Sequence, residues 1–219
     1  MTAISIFDLD KTVCRRDTFL PFLIFVLMRR PSRWWRMPAL AIAVGYYLFG
    51  LRDNSWLKTF FLTQIVGGMH AAAAHSHGRQ FIHSTVSRQL AQDALKEISL
   101  RRKQGSLLVL ATASPDIYVR QLADLLNISH VICSEMLASA DGHLTGLMRN
   151  GNCYGVEKVN RIDDFRLRHG ANWAEMIIYS DHSSDLALLM RAGQGFAVNP
   201  SRAFAKECQR HALPVLRWS

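Results

Sequence analysis

Ile4-Ser5-Ile6-Phe7-Asp8-Leu9-Asp10-Lys11-Thr12 decides the fold. An apolar run over Ala3 to Phe7 ends abruptly in acid, which reads as a short buried strand with carboxylates at its end. Residues two apart at a strand end can point the same way, so Asp8 and Asp10 can share one site. Such crowding is costly unless a cation or a proton is shared, and a hard, oxygen-seeking ion such as magnesium (Mg2+) relieves it. The plainer alternative is a loop that happens to begin with two Asp residues.

The same design recurs far along the chain. Tyr179-Ser180-Asp181-His182-Ser183-Ser184-Asp185 is again an apolar stretch ending in acid, with Asp185 within reach of Asp181 if a helix starts there. Ser183 or Ser184 can cap that helix. Between the two acidic groups, Leu107 to Ala111 is a compact apolar run followed by Thr112, whose hydroxyl and neighbouring N–H groups can hold a phosphate oxygen. Ser114-Pro115 reads as a helix start, with the hydroxyl as cap. The helix from Asp116 to about Leu126 then sets Tyr118, Leu122 and Leu125 on one apolar face. Lys158, in Gly155-Val156-Glu157-Lys158-Val159, lies on a helix expected over Val156 to Arg168. It is either solvent-facing or the cation that an acidic phosphate site requires.

Further strands are expected at Val131–Cys133, Met176–Tyr179 and Phe196–Val198, with a hairpin turning at Asp141-Gly142 and Gly146. Helices are expected at Ser184–Arg191 and Pro200–Cys208, and a last extended piece near Leu213–Leu216. Strands alternating with helices give an α/β fold with a Rossmann-like, largely parallel sheet covered on both faces. Ligands sit at the carboxyl ends of such strands, where these candidate groups apart from the lysine fall.

The alternation is interrupted after the first strand. The α/β catalytic core is therefore assigned to residues 1–15 and 97–219, and residues 16–96 to an inserted, all-helical cap domain. Within it, Phe19–Met28 and Pro38–Leu51 are strongly apolar, but both fall short of the roughly 20 residues a simple membrane span needs. Arg29, Arg30, Arg33 and Arg36, interleaved with Trp34 and Trp35, separate them. Two readings stand: buried cap helices, or a shallow hairpin held at the headgroup level by Trp and Arg. Ala71 to Arg101 suits long amphipathic helices with a boundary near Gly78. His70, His75, His77 and His83 have no carboxylate neighbours, and the structural reading of these histidines is preferred to a metal site.

A chain of 219 residues with 49% hydrophobic and 20% charged residues can bury a substantial core, and no disorder is expected beyond its ends. The start has no basic n-region and reads as no signal peptide. Four irregularly spaced cysteines without C-x-x-C argue against a disulfide framework or structural zinc, so a cytoplasmic setting is expected. The net charge of +9 points to an anionic membrane surface, nucleic acid or merely solvent. No nucleic-acid motif accompanies the basic patch, and no specific nucleic-acid partner is expected.

Taken together, Asp8-Leu9-Asp10-Lys11-Thr12, the strand ending in Thr112, Lys158, and Asp181 with Asp185 resemble the motif series of the haloacid dehalogenase superfamily. The resemblance is to its phosphoserine phosphatase-like branch, with a helical cap inserted after the first strand, and it spans essentially the whole chain except the cap. It implies a phosphoric monoester hydrolase in which Asp8 is the nucleophile that forms an aspartyl-phosphate. Asp10 protonates the leaving group and then activates water, Thr112 binds the phosphoryl group, and Lys158 stabilises it. Asp8, Asp181 and the main-chain carbonyl of Asp10 hold Mg2+, while Asp185 supports the metal shell or Lys158. A non-catalytic phosphate-binding protein is the alternative, and the intact set of acids, Thr and Lys argues against it.

Substrate selection is less constrained. Asp17 stands where phosphoserine phosphatases place an acid for the substrate amino group, but it is shorter than the usual glutamate, and it can instead cap the first cap helix. A small soluble phosphorylated metabolite is the expected substrate. A phosphorylated lipid head group, such as phosphatidylglycerophosphate, is the alternative that the apolar, basic cap suggests, with peripheral contact to the inner face of an anionic membrane.

Overall fold

The computed structural model describes residues 3–219. Strand β1 (Ile4–Phe7) is fully buried and lies in the middle of a seven-stranded sheet. The helices α1 (Phe19–Met28), α2 (Met37–Leu48), α3 (Asn54–Ile65), α4 (Ala71–Ser84) and α5 (Gln92–Lys103) follow before the chain returns to the sheet. It then runs through β2 (Leu107–Pro115), α6 (Asp116–Leu125), β3 (His130–Ala138), β4 (Leu144–Arg149), α7 (Val156–Arg168) and β5 (Met176–Ser180). The short α8 (Leu186–Arg191), β6 (Gln194–Val198), α9 (Arg202–Arg210) and β7 (Val215–Leu216) complete it.

The strand order is β4-β3-β2-β1-β5-β6-β7, parallel throughout except for the β3–β4 hairpin. This is the Rossmann-like core with an inserted helical region, α1 to α5, between β1 and β2. Alternation along β1 explains its central place: Ile4 and Ile6 enter one apolar layer with α7, α8 and α9, while Phe7 enters the layer on the opposite face. Beta-2 leads away from β1 on one side and β5 on the other, so the chain changes direction at β1. The crevice beyond the carboxyl ends of β1, β2 and β5 is the switch point where such sheets bind ligands.

Several local expectations are corrected. Alpha-4 runs unbroken through Gly78, because a side chain there would overlap the carbonyl of Ile117 on α6; the glycine permits close helix packing and ends nothing. Gly146 lies within β4 instead of at a turn, pressed against Thr63 of α3. Leu125 is exposed, whereas Tyr118 and Leu122 are buried. The reading of buried cap helices fits α1 only in part and α2 poorly. Of the twelve residues of α2, only Leu40 and Ala43 are buried.

The basic segment is partly structural. Arg30, Arg33 and Arg36 donate to the main-chain carbonyls of Ile65, of Gln64 and Gly67, and of Gln64, at 2.8–3.3 Å. They satisfy the unpaired carbonyls at the C-terminus of α3 and sit at the negative end of its dipole.

Candidate active site

Beyond β1 the chain closes a tight turn, with the Cys14 N–H donating to the Leu9 carbonyl at 2.8 Å. Lys11 takes the left-handed conformation at φ 56°. This turn carries Asp8 and Asp10 to one end of the sheet. A cavity of about 560 Å3 opens there, and Asp8, Asp10, Thr112, Lys158, Asp181, Asp185 and Asp17 all line it. The structure thus gathers every candidate residue around one space.

Lys158, from the first turn of α7, is buried and bridges two acids. Its Nζ lies 2.7 Å from Asp8 Oδ1 and 2.6 Å from Asp185 Oδ2. Asp185 also accepts from the Ser180 hydroxyl at 2.7 Å, so it is placed to hold Lys158. Among the described residues, Asp8 Oδ2 and the Asp181 carboxylate accept no hydrogen bond from protein. Asp10 is held from both sides. Its Oδ1 accepts from the Thr18 N–H and hydroxyl, each at 2.7 Å, and its Oδ2 from the Ser114 hydroxyl at 3.1 Å. The Thr112 hydroxyl accepts from the Ser114 N–H at 3.1 Å.

Two expected caps are therefore reassigned. Pro115 is extended at the start of α6 and holds Ser114 in the strand, leaving its hydroxyl to Asp10. His182, rather than Ser183 or Ser184, accepts from the Ser184 N–H at the start of the turn before α8. Asp17 makes no cap either. It pairs with Lys11 at 2.9 Å in an exposed ion pair at the cavity rim.

Burial dominates the electrostatics. It pushes the Asp8 carboxyl up to about 7 against the opposing pull of Lys158. Burial and then the charge of Asp8 push Asp181 up to about 8, and burial raises Asp10 as well. Lys158 is raised by Asp185 and Asp8 despite its burial. The carboxylates are thus expensive to keep ionised together, and a cation among them would remove that cost.

One cavity residue escaped the sequence reading. Lys58 on α3 is 8% exposed, donates to the Ala113 carbonyl and lies 3.3 Å from Asn152 Oδ1. Burial lowers it to about 8, with Asp10 pulling the other way. Its only signal was one lysine within the largely apolar stretch Trp56 to Phe61.

A family model for haloacid dehalogenase-like hydrolases matches residues 6–190. The chain belongs to that family. Phosphomonoester hydrolysis through an aspartyl-phosphate is the general chemistry of this kind of hydrolase. A probable phosphatase of Mycobacterium tuberculosis is 27% identical over 98% of this chain and 75% of its own length. A Bordetella pertussis protein of unknown function superposes with a TM-score of 0.84 at 21% identity, covering 99% of both chains. A probable phosphoserine phosphatase from Vibrio cholerae has a TM-score of 0.73 at 12% identity, over 98% of this hydrolase and 61% of that chain. At these identities the two structures speak for the fold, including the helical insertion.

Proposed function

We propose that this hydrolase cleaves a phosphomonoester whose leaving group is apolar, with Asp8 as nucleophile and Mg2+ as cofactor. The observation that carries the mechanism is the Asp8 carboxylate itself: Lys158 fixes Oδ1, and Oδ2 is left without a protein donor at the end of β1. Oδ2 attacks phosphorus, the bond to the ester oxygen breaks, and Asp10 gives that oxygen its proton. Water then attacks the aspartyl-phosphate, Asp10 takes the water's proton, and phosphate leaves. Burial raises the Asp10 carboxyl, which favours a proton carrier, and the bonds from Thr18 and Ser114 orient it. Thr112 and Lys158 supply donors to the phosphoryl oxygens.

The donor set suits Mg2+. Among the described residues no three His, Cys, Asp or Glu side chains form a metal cluster. Magnesium, however, commonly uses one or two carboxylates and keeps several waters. Asp8, Asp181 and the Asp10 main-chain carbonyl are hard oxygen donors, and the unpartnered Asp181 carboxylate is raised by burial as a site for a cation would be. When bound, the ion supplies positive charge to the phosphoryl oxygens.

The far wall of the cavity supports an apolar leaving group over a small polar metabolite. Phe19, Leu20, Val44, Tyr47, Leu48 and Phe61 outnumber the polar Asn54 and Lys58 among the side chains that the insertion contributes there. Phosphate release from short polar and long-chain alkyl phosphomonoesters, with and without Mg2+, tests the reading. Acid quenching should trap phosphate on Asp8. Faster turnover of the polar esters would overturn the leaving-group assignment, and an Asp8→Asn protein with full activity would overturn the mechanism.

A further inference from the structure

Alpha-2 is apolar along its whole length, yet most of it faces outward. A helix with apolar residues on all sides is normally buried in protein or in lipid. Here Ile42 is 60% exposed, Leu48 74% and, just past the helix, Phe49 83%. Alpha-1 adds a stripe at i, i+4 and i+8, in which Leu20, Ile24 and Met28 are all exposed. Of the twenty large apolar side chains exposed among the described residues, twelve fall between Leu20 and Leu51, a concentration beyond the scatter normal on a soluble surface.

The charge around this face has one sign. From Thr18 to Gln92 the chain has eight Lys and Arg and a single acid, Asp53. The exposed Arg29 directly follows α1 and the exposed Arg52 comes shortly after α2, and neither is within ion-pair distance of a carboxylate among the described residues. Their guanidinium groups sit over Phe25 and Trp56, at 3.5 and 5.4 Å from the ring centroids. Arg36 lies 5.0 Å from the exposed Trp35 ring. Trp and Arg together at the border of an apolar face match the polar–apolar boundary of a bilayer.

We propose that the α1–α2 face docks on an anionic membrane, lying in the headgroup layer with its apolar side chains in the upper acyl region. A second copy of the chain is a poorer occupant, because it would bring two basic surfaces together with almost no acid between them. Spanning is excluded by length: α1 and α2 have ten and twelve residues, and no described helix is long and apolar enough to cross a membrane. The docked face is continuous with the cavity, since Leu20, Tyr47 and Leu48 are both exposed and part of its wall. Provided the proposed phosphomonoesterase reading holds, the substrate is then an amphiphile. Its phosphate reaches Asp8 while its chain passes from bilayer to cavity wall without crossing water.

Flotation of the full chain with phosphatidylcholine vesicles, with and without phosphatidylglycerol, tests the docking. Co-flotation is expected with the anionic vesicles only, weakening as salt rises. Arg29→Gln and Arg52→Gln should each lower partitioning about fivefold. Phe49→Glu and Trp35→Glu should each lower it at least about tenfold. All four variants lie outside the catalytic cavity and should keep wild-type hydrolysis of para-nitrophenyl phosphate, which also certifies their folding. Equal binding to both vesicle types, or undiminished binding by Phe49→Glu, overturns the proposal. So does a dimer that Phe49→Glu dissociates in a protein that ignores vesicles. Absence of hydrolysis by a wild-type protein that still floats would instead sink the enzymatic reading and leave docking intact.

Discussion

The Nζ of Lys58 donates to the main-chain carbonyl of Ala113, joining the helical insertion to β2 one residue beyond Thr112. A buried cation from the insertion therefore stands in the same cavity as the nucleophile.

Lys58→Met removes the cation that the insertion brings into the cavity and should lower kcat/KM by about tenfold to a hundredfold, the size of one charge-assisted hydrogen bond. Stability should not fall with it, because the Ala113 carbonyl still accepts from Ser134 at 2.8 Å. Burial lowers Lys58 to about 8 from 10.5, so between those values the unfolded chain holds more protons than the folded one. The contribution of this group to stability is least favourable below pH 8 and rises across that window. In wild type kcat/KM should decline above about pH 8, and Lys58→Arg should extend the plateau. A pH–rate profile and thermal melts at two pH values check both.

Asp8→Asn should abolish turnover, by about 10^4-fold or more. It should not unfold the protein, since burial already disfavours the Asp8 charge and Lys158 keeps Asp185 as partner. Single-turnover kinetics and a melting curve measure the two effects separately.

Magnesium should stabilise the protein more at pH 8 than at pH 5. Burial raises Asp8 to about 7 and Asp181 to about 8 from a usual 3.8. Without a cation, their contribution is fully present below pH 4 and lost as pH rises through 7 and 8. A bound divalent ion restores it where both are ionised. Melting temperatures with and without Mg2+ across this range check the trend; a shift independent of pH would contradict it.

Gly78→Val should destabilise the fold. The new side chain would force α4 away from Ile117, at a cost of about 1–3 kcal/mol. Denaturant titration should register the loss, alongside increased protease sensitivity of the insertion.

The contrast between Asp8 and Lys58 shows what was legible beforehand. Asp8 announces itself because a short apolar strand ends in two acids with period-two spacing, and the same grammar repeats at Asp181. Thr112 and Lys158 gained meaning only beside those acids. Lys58 carries no local signature, because its role arises from the folding-back of α3 onto β2, a contact 55 residues apart in the chain. Ser114 departs from the expected cap for a related reason: its hydroxyl suits a helix cap, but the following proline keeps it extended, and a distant carboxylate takes the bond. Gly78 likewise looked like a break because its partner, α6, is remote in sequence.

The close approach of Gly78 to Ile117, with that of Gly146 to Thr63, fixes where the insertion meets the sheet layer. Both contacts bring backbone close to backbone, so α4 packs directly on α6 and α3 directly on β4. On the α1–α2 side the cavity ends in a gunwale formed by the exposed Leu20, Tyr47 and Leu48. A molecule that arrives over α1 and α2 therefore meets an apolar threshold before it meets Asp8.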